Sequence, residues 1–89
     1  MEVDGIEIIG LMAACLTTAA FVPQVYKTWR TRDVQGISLT MYLAFFIGVL
    51  LWFIYGWYID SLSILLANGI TAILVLVQLI LRIRYRIKR

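Results

Sequence analysis

Uncharged stretches dominate this chain of 89 residues. Nineteen residues without charge lie between Glu7 and Lys27, 26 between Asp33 and Asp60, and 21 between Asp60 and Arg82. A helix needs about 20 mostly apolar residues to cross the hydrocarbon core of a bilayer. Each stretch meets that length, so the pattern predicts membrane spans at roughly Ile6–Tyr26, Ile37–Trp57 and Leu62–Leu81. Lipid offers no partner to a bare peptide group, so all three spans are predicted to be α-helices. The loop after the first span is polar, and its Gly36 suits a helix end. The loop near Tyr58–Ser61 is very short, which makes spans two and three a tight antiparallel pair.

Composition agrees: 63% of residues are hydrophobic and 15% charged, too apolar for a soluble domain this small. Charge then orients the spans. Lys27, Arg30 and Arg32 follow span one, and Arg82, Arg84, Arg86, Lys88 and Arg89 follow span three. With three spans those places share a compartment, and Lys/Arg excess in short loops marks the cytoplasmic side. The expected topology is N-terminus outside and C-terminus inside. Glu2, Asp4, Glu7 and Asp60 fall on the outer side. An acidic start also argues against a cleaved leader, which begins with basic residues. The net charge of +3 is explained by orientation and by anionic headgroups, so no nucleic-acid partner is expected.

Several residues have a bland reading. Cys15 is alone and mid-span, a small apolar packing residue. Tyr26, Trp29, Tyr42 and Tyr85 form an inner aromatic belt, and Trp57 and Tyr58 an outer one. Gly10, Ala14 and Thr18 recur every four residues and let another helix approach closely.

Three features allow a functional reading beside the bland one. Pro23 cannot donate to the Ala19 carbonyl and its ring crowds it, so the helix should kink there. The kink is either static or a hinge, with Gln24 bonding the freed carbonyls or a neighbouring helix. On span two, Met41, Phe45, Gly48, Trp52 and Tyr55 share one helical face. That stripe is either packing or the wall of a path. On span three, Ser61, Asn68, Thr71 and Gln78 lie within about a quarter turn of one another. Asn68 within a bilayer needs partners, either another helix or a wet cavity. Asn68 and Trp52 each lie seven residues in from the second loop, about 10 Å deep, with Thr17 near mid-depth. A flat ring, an amide and hydroxyls at one level suit a neutral, polyhydroxylated ligand.

No Asp, Glu, His, Lys or Arg lies in the middle of any predicted span. Ion-coupled carriers usually hold an ionisable group there, so uncoupled movement of a neutral solute is expected. There is no metal cluster, phosphate loop or nucleophile–base pair, so neither an enzyme nor a cofactor is expected.

The run Phe21-Val22-Pro23-Gln24-Val25-Tyr26-Lys27-Thr28, then Thr31-Arg32 and Gly36-Ile37-Ser38, resembles the PQ-loop superfamily. Met41-Tyr42, Phe45, Gly48, Trp52, Tyr55-Gly56 and Leu66-Ala67-Asn68 follow in the order seen in bacterial SemiSWEET sugar transporters. The resemblance covers essentially the whole chain. It implies an all-α three-helix unit of the inner (cytoplasmic) membrane that pairs as a parallel two-fold homodimer around one sugar path. It also implies that Trp52 and Asn68 line the sugar site and that Pro23 and Gln24 are the hinge. By the same resemblance, Met41 and Phe45 form the inner gate and Tyr55 the outer gate. Relatives carry an Arg and an Asp after the Tyr-Gly pair, where this chain has Ile59 and Ser61 with Asp60 between them. Its outer gate is therefore expected to close with aromatic and apolar contacts, Asp60 being the nearby hydrogen-bonding group. Two other readings stand beside transport of sugar: export of small cationic compounds, which would call for an intramembrane carboxylate, and a non-transporting assembly subunit using Asn68 as helix glue.

Overall fold

A computed structural model describes residues 3–85; Glu2 and the basic residues Arg86, Lys88 and Arg89 lie outside the described residues. It contains three helices, α1 (Gly5–Thr31), α2 (Leu39–Tyr58) and α3 (Leu62–Arg84), each long and apolar enough to cross a membrane. The chain is an integral membrane protein.

Each helix starts at a side-chain cap, which satisfies an amide that has no partner within the helix. Asp4 accepts the Glu7 N–H at 2.8 Å, Ser38 the Met41 N–H at 3.3 Å, and Ser61 the Ile64 N–H at 3.3 Å. α1 runs unbroken through Pro23 and five residues beyond Tyr26. In its last turns, where apolar sequence has ended, the Thr28 and Thr31 hydroxyls donate to the Gln24 and Lys27 carbonyls at 2.9 and 2.8 Å. The residue that ends it is Arg32, left-handed at φ 56, whose N–H donates to the Thr28 carbonyl at 2.8 Å. Gly36, expected at this end, instead lies in the following turn, without a positive φ.

α2 and α3 are joined by Ile59, Asp60 and Ser61, with Asp60 left-handed at φ 61 and the Ser61 N–H donating to the Gly56 carbonyl at 2.9 Å. They form the tight antiparallel pair the short loop predicts. α3 lies between α1 and α2, which do not meet among the described residues. Close approach on both flanks depends on missing side chains. A Cβ on Gly10 would lie 2.5 Å from the Ser63 hydroxyl, and one on Gly56 would lie 2.6 Å from Cγ2 of Ile64. Small residues at such crossings let the helix backbones pack against each other in lipid.

At the end holding Arg82, a small core of Val34, Ile37 and Leu81 ties the first loop to α3. Arg82 Nε donates to the Ile37 carbonyl at 2.9 Å, and the Arg32 guanidinium lies 5.3 Å from the centre of the Tyr85 ring. Elsewhere large apolar side chains face outward, with Ile6 79% and Trp57 67% exposed. So much exposed apolar surface belongs against lipid or another protein. Cys15 is part of that surface rather than packed inside.

Candidate substrate site

Two concave surfaces hold Thr17, Trp52, Tyr55 and Asn68 among the residues singled out in the sequence. The first, about 280 Å³, lies between α1 and α3 and is lined by Gly10, Ala14, Thr17, Ser63, Ala67 and Asn68 among others. Small residues, Gly10, Ala13, Ala14 and Ala67, make up much of its lining. Asn68 is half-buried; its amide nitrogen donates to the Ile64 carbonyl at 2.9 Å. The Thr17 hydroxyl donates to the Ala14 carbonyl at 3.2 Å. Each side chain is thereby tethered to its own helix while its remaining hydrogen-bonding capacity faces the groove.

The second surface, about 360 Å³, is lined by Gly48, Leu51, Trp52 and Tyr55 of α2. The Trp52 and Tyr55 rings meet edge to face at 5.5 Å and 87°, a favourable aromatic geometry. Gly48 keeps this surface open, since a Cβ there would meet nothing within 4 Å. The α2 residues packed on α3, Val49 and Gly56, lie about a quarter turn away.

Thr17 and Asn68 therefore share one groove, while Trp52 lies in the other with Tyr55. Their levels match. Gly56 packs against Ile64, and Gly69 packs against Phe53. This antiparallel register puts Trp52 beside Asn68 and Gly69 in depth. The remaining predicted residues are spread along the unit. Pro23 and Gln24 are exposed in the lower half of α1, and Met41 and Phe45 are exposed on the stripe below Gly48. Asp60 is exposed in the turn after α2. Gln78, from the polar stripe of α3, is only 2% exposed, and its side-chain oxygen has no partner among the described residues.

Sequence reasoning missed one cluster. It treated Glu7 as an orientation marker, whereas its Oε1 accepts from the Ser61 hydroxyl at 2.9 Å and from the Ser63 backbone N–H. Ser61 and Ser63, each 8% exposed, sit 3.3 Å apart, oxygen to oxygen. The available signal was a Ser-x-Ser pair opening α3 and an acid in the first turn of α1.

The architecture defines a three-helix membrane unit whose polar groove and aromatic groove are uncharged along their linings. The PQ loop repeat family matches residues 5–66. A sugar transporter SemiSWEET from Leptospira biflexa is 46% identical over 72 residues, covering 81% of this chain and 85% of the relative. One from Escherichia coli is 42% identical over 86 residues, covering 97% of each. A crystal structure of SemiSWEET in the inward-open conformation superposes with a TM-score of 0.84 at 42% identity, covering 91% of this chain and 94% of that one. The chain belongs to the PQ-loop family and, within it, to the SemiSWEETs. These relatives are named as transporters, and the chain is not an enzyme.

Proposed function

We propose that this chain is a facilitative, uncoupled sugar transporter that works by alternating access between two identical protomers. The observation that carries the reading is the neutral groove holding Thr17 and Asn68, with the Trp52 ring at the same depth on the neighbouring helix. Hydroxyls and an amide match the hydroxyls of a sugar, and an indole face matches its C–H side. The relatives named as sugar transporters support the same substrate class.

A layer of three helices cannot enclose a path. A second copy, oriented alike, supplies the opposite wall and places two Trp52 and two Asn68 side chains around one chamber. Sugar enters while the Tyr55 ends are apart, beside Asp60. The outer end then closes, α1 pivots at Pro23 and Gln24, and Met41 and Phe45 separate to release sugar inside. The relative solved in an inward-open conformation is consistent with such a cycle. The Glu7 end faces outward and the Arg82 end the cytoplasm, in the inner membrane, because the basic residues gather at the latter.

Among the described residues no Asp, Glu, Lys or Arg side chain lines either groove, so net flux follows the sugar gradient. A millimolar dissociation constant needs only about 4 kcal/mol, within reach of a few hydrogen bonds and one stacked ring. The test is uptake of labelled glucose and sucrose into proteoliposomes, with and without an imposed pH gradient. Wild-type protein equilibrates sugar regardless of the pH gradient, and Trp52→Ala and Asn68→Ala abolish uptake. Wild-type rates in both variants would remove the site assignment.

A further inference from the structure

We infer that Ser63 is a further specificity-determining residue of the groove. Its hydroxyl oxygen is held free as an acceptor by hydrogen bonds leading back to Glu7, and it takes a hydrogen bond from a ligand hydroxyl. The inference rests on the sugar-transport reading and adds a residue and a rule for which sugars are taken.

A carboxylate only accepts, and a serine hydroxyl has one proton to give and two lone pairs. Glu7 Oε1 accepts the Ser61 hydroxyl proton at 2.9 Å, which uses the only proton Ser61 has. The Ser61 oxygen also accepts the Ile64 N–H at 3.3 Å. The 3.3 Å contact between the two serine oxygens then has one possible donor, Ser63. With its proton directed at the Glu7 carboxylate or at Ser61, Ser63 keeps unused lone pairs, and its side chain lines the groove. Gly10 protects this arrangement, because a Cβ there would lie 2.5 Å from the Ser63 oxygen.

The neighbours have the same bias. The Thr17 proton goes to the Ala14 carbonyl, and one Asn68 amide hydrogen goes to the Ile64 carbonyl. The groove therefore presents acceptors at Thr17, Ser63 and the Asn68 carbonyl, against one remaining donor, the second Asn68 amide hydrogen. Ser63 and Asn68 are five residues apart, about 7.5 Å along α3, close enough for one ligand to reach both. A ligand that fits brings O–H donors; one whose hydroxyls are methylated leaves buried acceptors unpaired and is disfavoured.

Glu7 acts through the serines and is a positioning residue. Concentration-dependent uptake in proteoliposomes tests both roles. Ser63→Ala raises KM about five- to tenfold with the maximal rate near wild type, the loss of one hydrogen bond to a neutral partner. Ser63→Cys, which keeps the shape with a poorer acceptor, moves KM the same way. Glu7→Ala frees the Ser61 proton to point at Ser63 and raises KM similarly, and Glu7→Gln, whose carbonyl still accepts, restores most of the loss. A purely structural Glu7 would lower the yield of folded protein and leave KM alone. With mono-O-methyl derivatives of the transported sugar, wild type discriminates against at least one, and Ser63→Ala narrows that discrimination. Unchanged KM in folded Ser63→Ala and Glu7→Ala, with discrimination against every methyl ether intact, would overturn the assignment alone. A wild type that carries no sugar would overturn the transport reading and this assignment with it.

Discussion

Gly48 and Gly56 lie two turns apart on α2, and the same substitution should separate stability from transport. A Cβ on Gly56 would lie 2.6 Å from Cγ2 of Ile64, 3.0 Å from its Cβ and 3.4 Å from the Leu65 backbone nitrogen. Ordinary carbon contacts are about 3.5–4.0 Å, so α2 and α3 must part by about 1 Å. Two of the three obstructing atoms sit on or beside the α3 backbone and cannot swing aside. Overpacking of this kind costs about 1–3 kcal/mol, partly offset by the helix-favouring gain of about 0.5–1 kcal/mol from replacing glycine. Taking the middle of each range, the net is about 1 kcal/mol, or about five- to tenfold in the folded-to-unfolded ratio. At Gly48 no atom lies within 4 Å of the added carbon, so Gly48→Ala leaves stability unchanged or slightly higher. The methyl enters the concave surface shared with Trp52 and Tyr55 instead, and uptake falls. Thermal unfolding in detergent, followed by helical circular dichroism, reads the first effect, and proteoliposome uptake reads the second. If Gly48→Ala transports at the wild-type rate, that face of α2 is not the ligand wall. If Gly56→Ala melts at the wild-type temperature, the α2–α3 packing is wrong.

Pro23→Ala restores an N–H that can donate to the Ala19 carbonyl; if Pro23 is the hinge, flux slows more than equilibrium sugar binding weakens, while equal loss of both contradicts the hinge. Arg82→Met removes the donor to the Ile37 carbonyl and should cost about 1 kcal/mol in detergent unfolding, in keeping with one hydrogen bond; no change would mean the contact adds nothing to stability. A protease-cleavable tag should be cut from outside when fused at the N-terminus and only from the cytoplasmic side when fused at the C-terminus; the opposite pattern inverts the topology.

The three helices and their class were legible because lipid imposes one simple rule on apolar length. Their ends were less so. α1 extends to Thr31, where the left-handed Arg32 closes it with its N–H on the Thr28 carbonyl, a contact that hydrophobicity does not report. Arg32 takes the left-handed position that a glycine was expected to fill nearby. Depth counting from the short second loop put Trp52 and Asn68 at one level, and the Gly56–Ile64 and Phe53–Gly69 contacts place them so. That they belong to separate grooves depends on which side of α3 each neighbour packs, and helical periodicity alone does not fix this. The Glu7 cluster was hidden for a related reason. Its partners are 54 and 56 residues away, and only the parallel docking of α1 on α3 brings them together.

Mixing intact and disabled subunits tests most directly whether two copies share one path. Wild-type protein is co-reconstituted with Asn68→Ala protein at defined ratios, with random pairing and fixed total protein, and initial sugar uptake is measured. One path lined by both Asn68 side chains predicts uptake proportional to the square of the wild-type fraction, about one quarter at an equal mixture. Uptake that falls in direct proportion, about one half at the same mixture, would mean that each protomer carries its own path, contrary to the account.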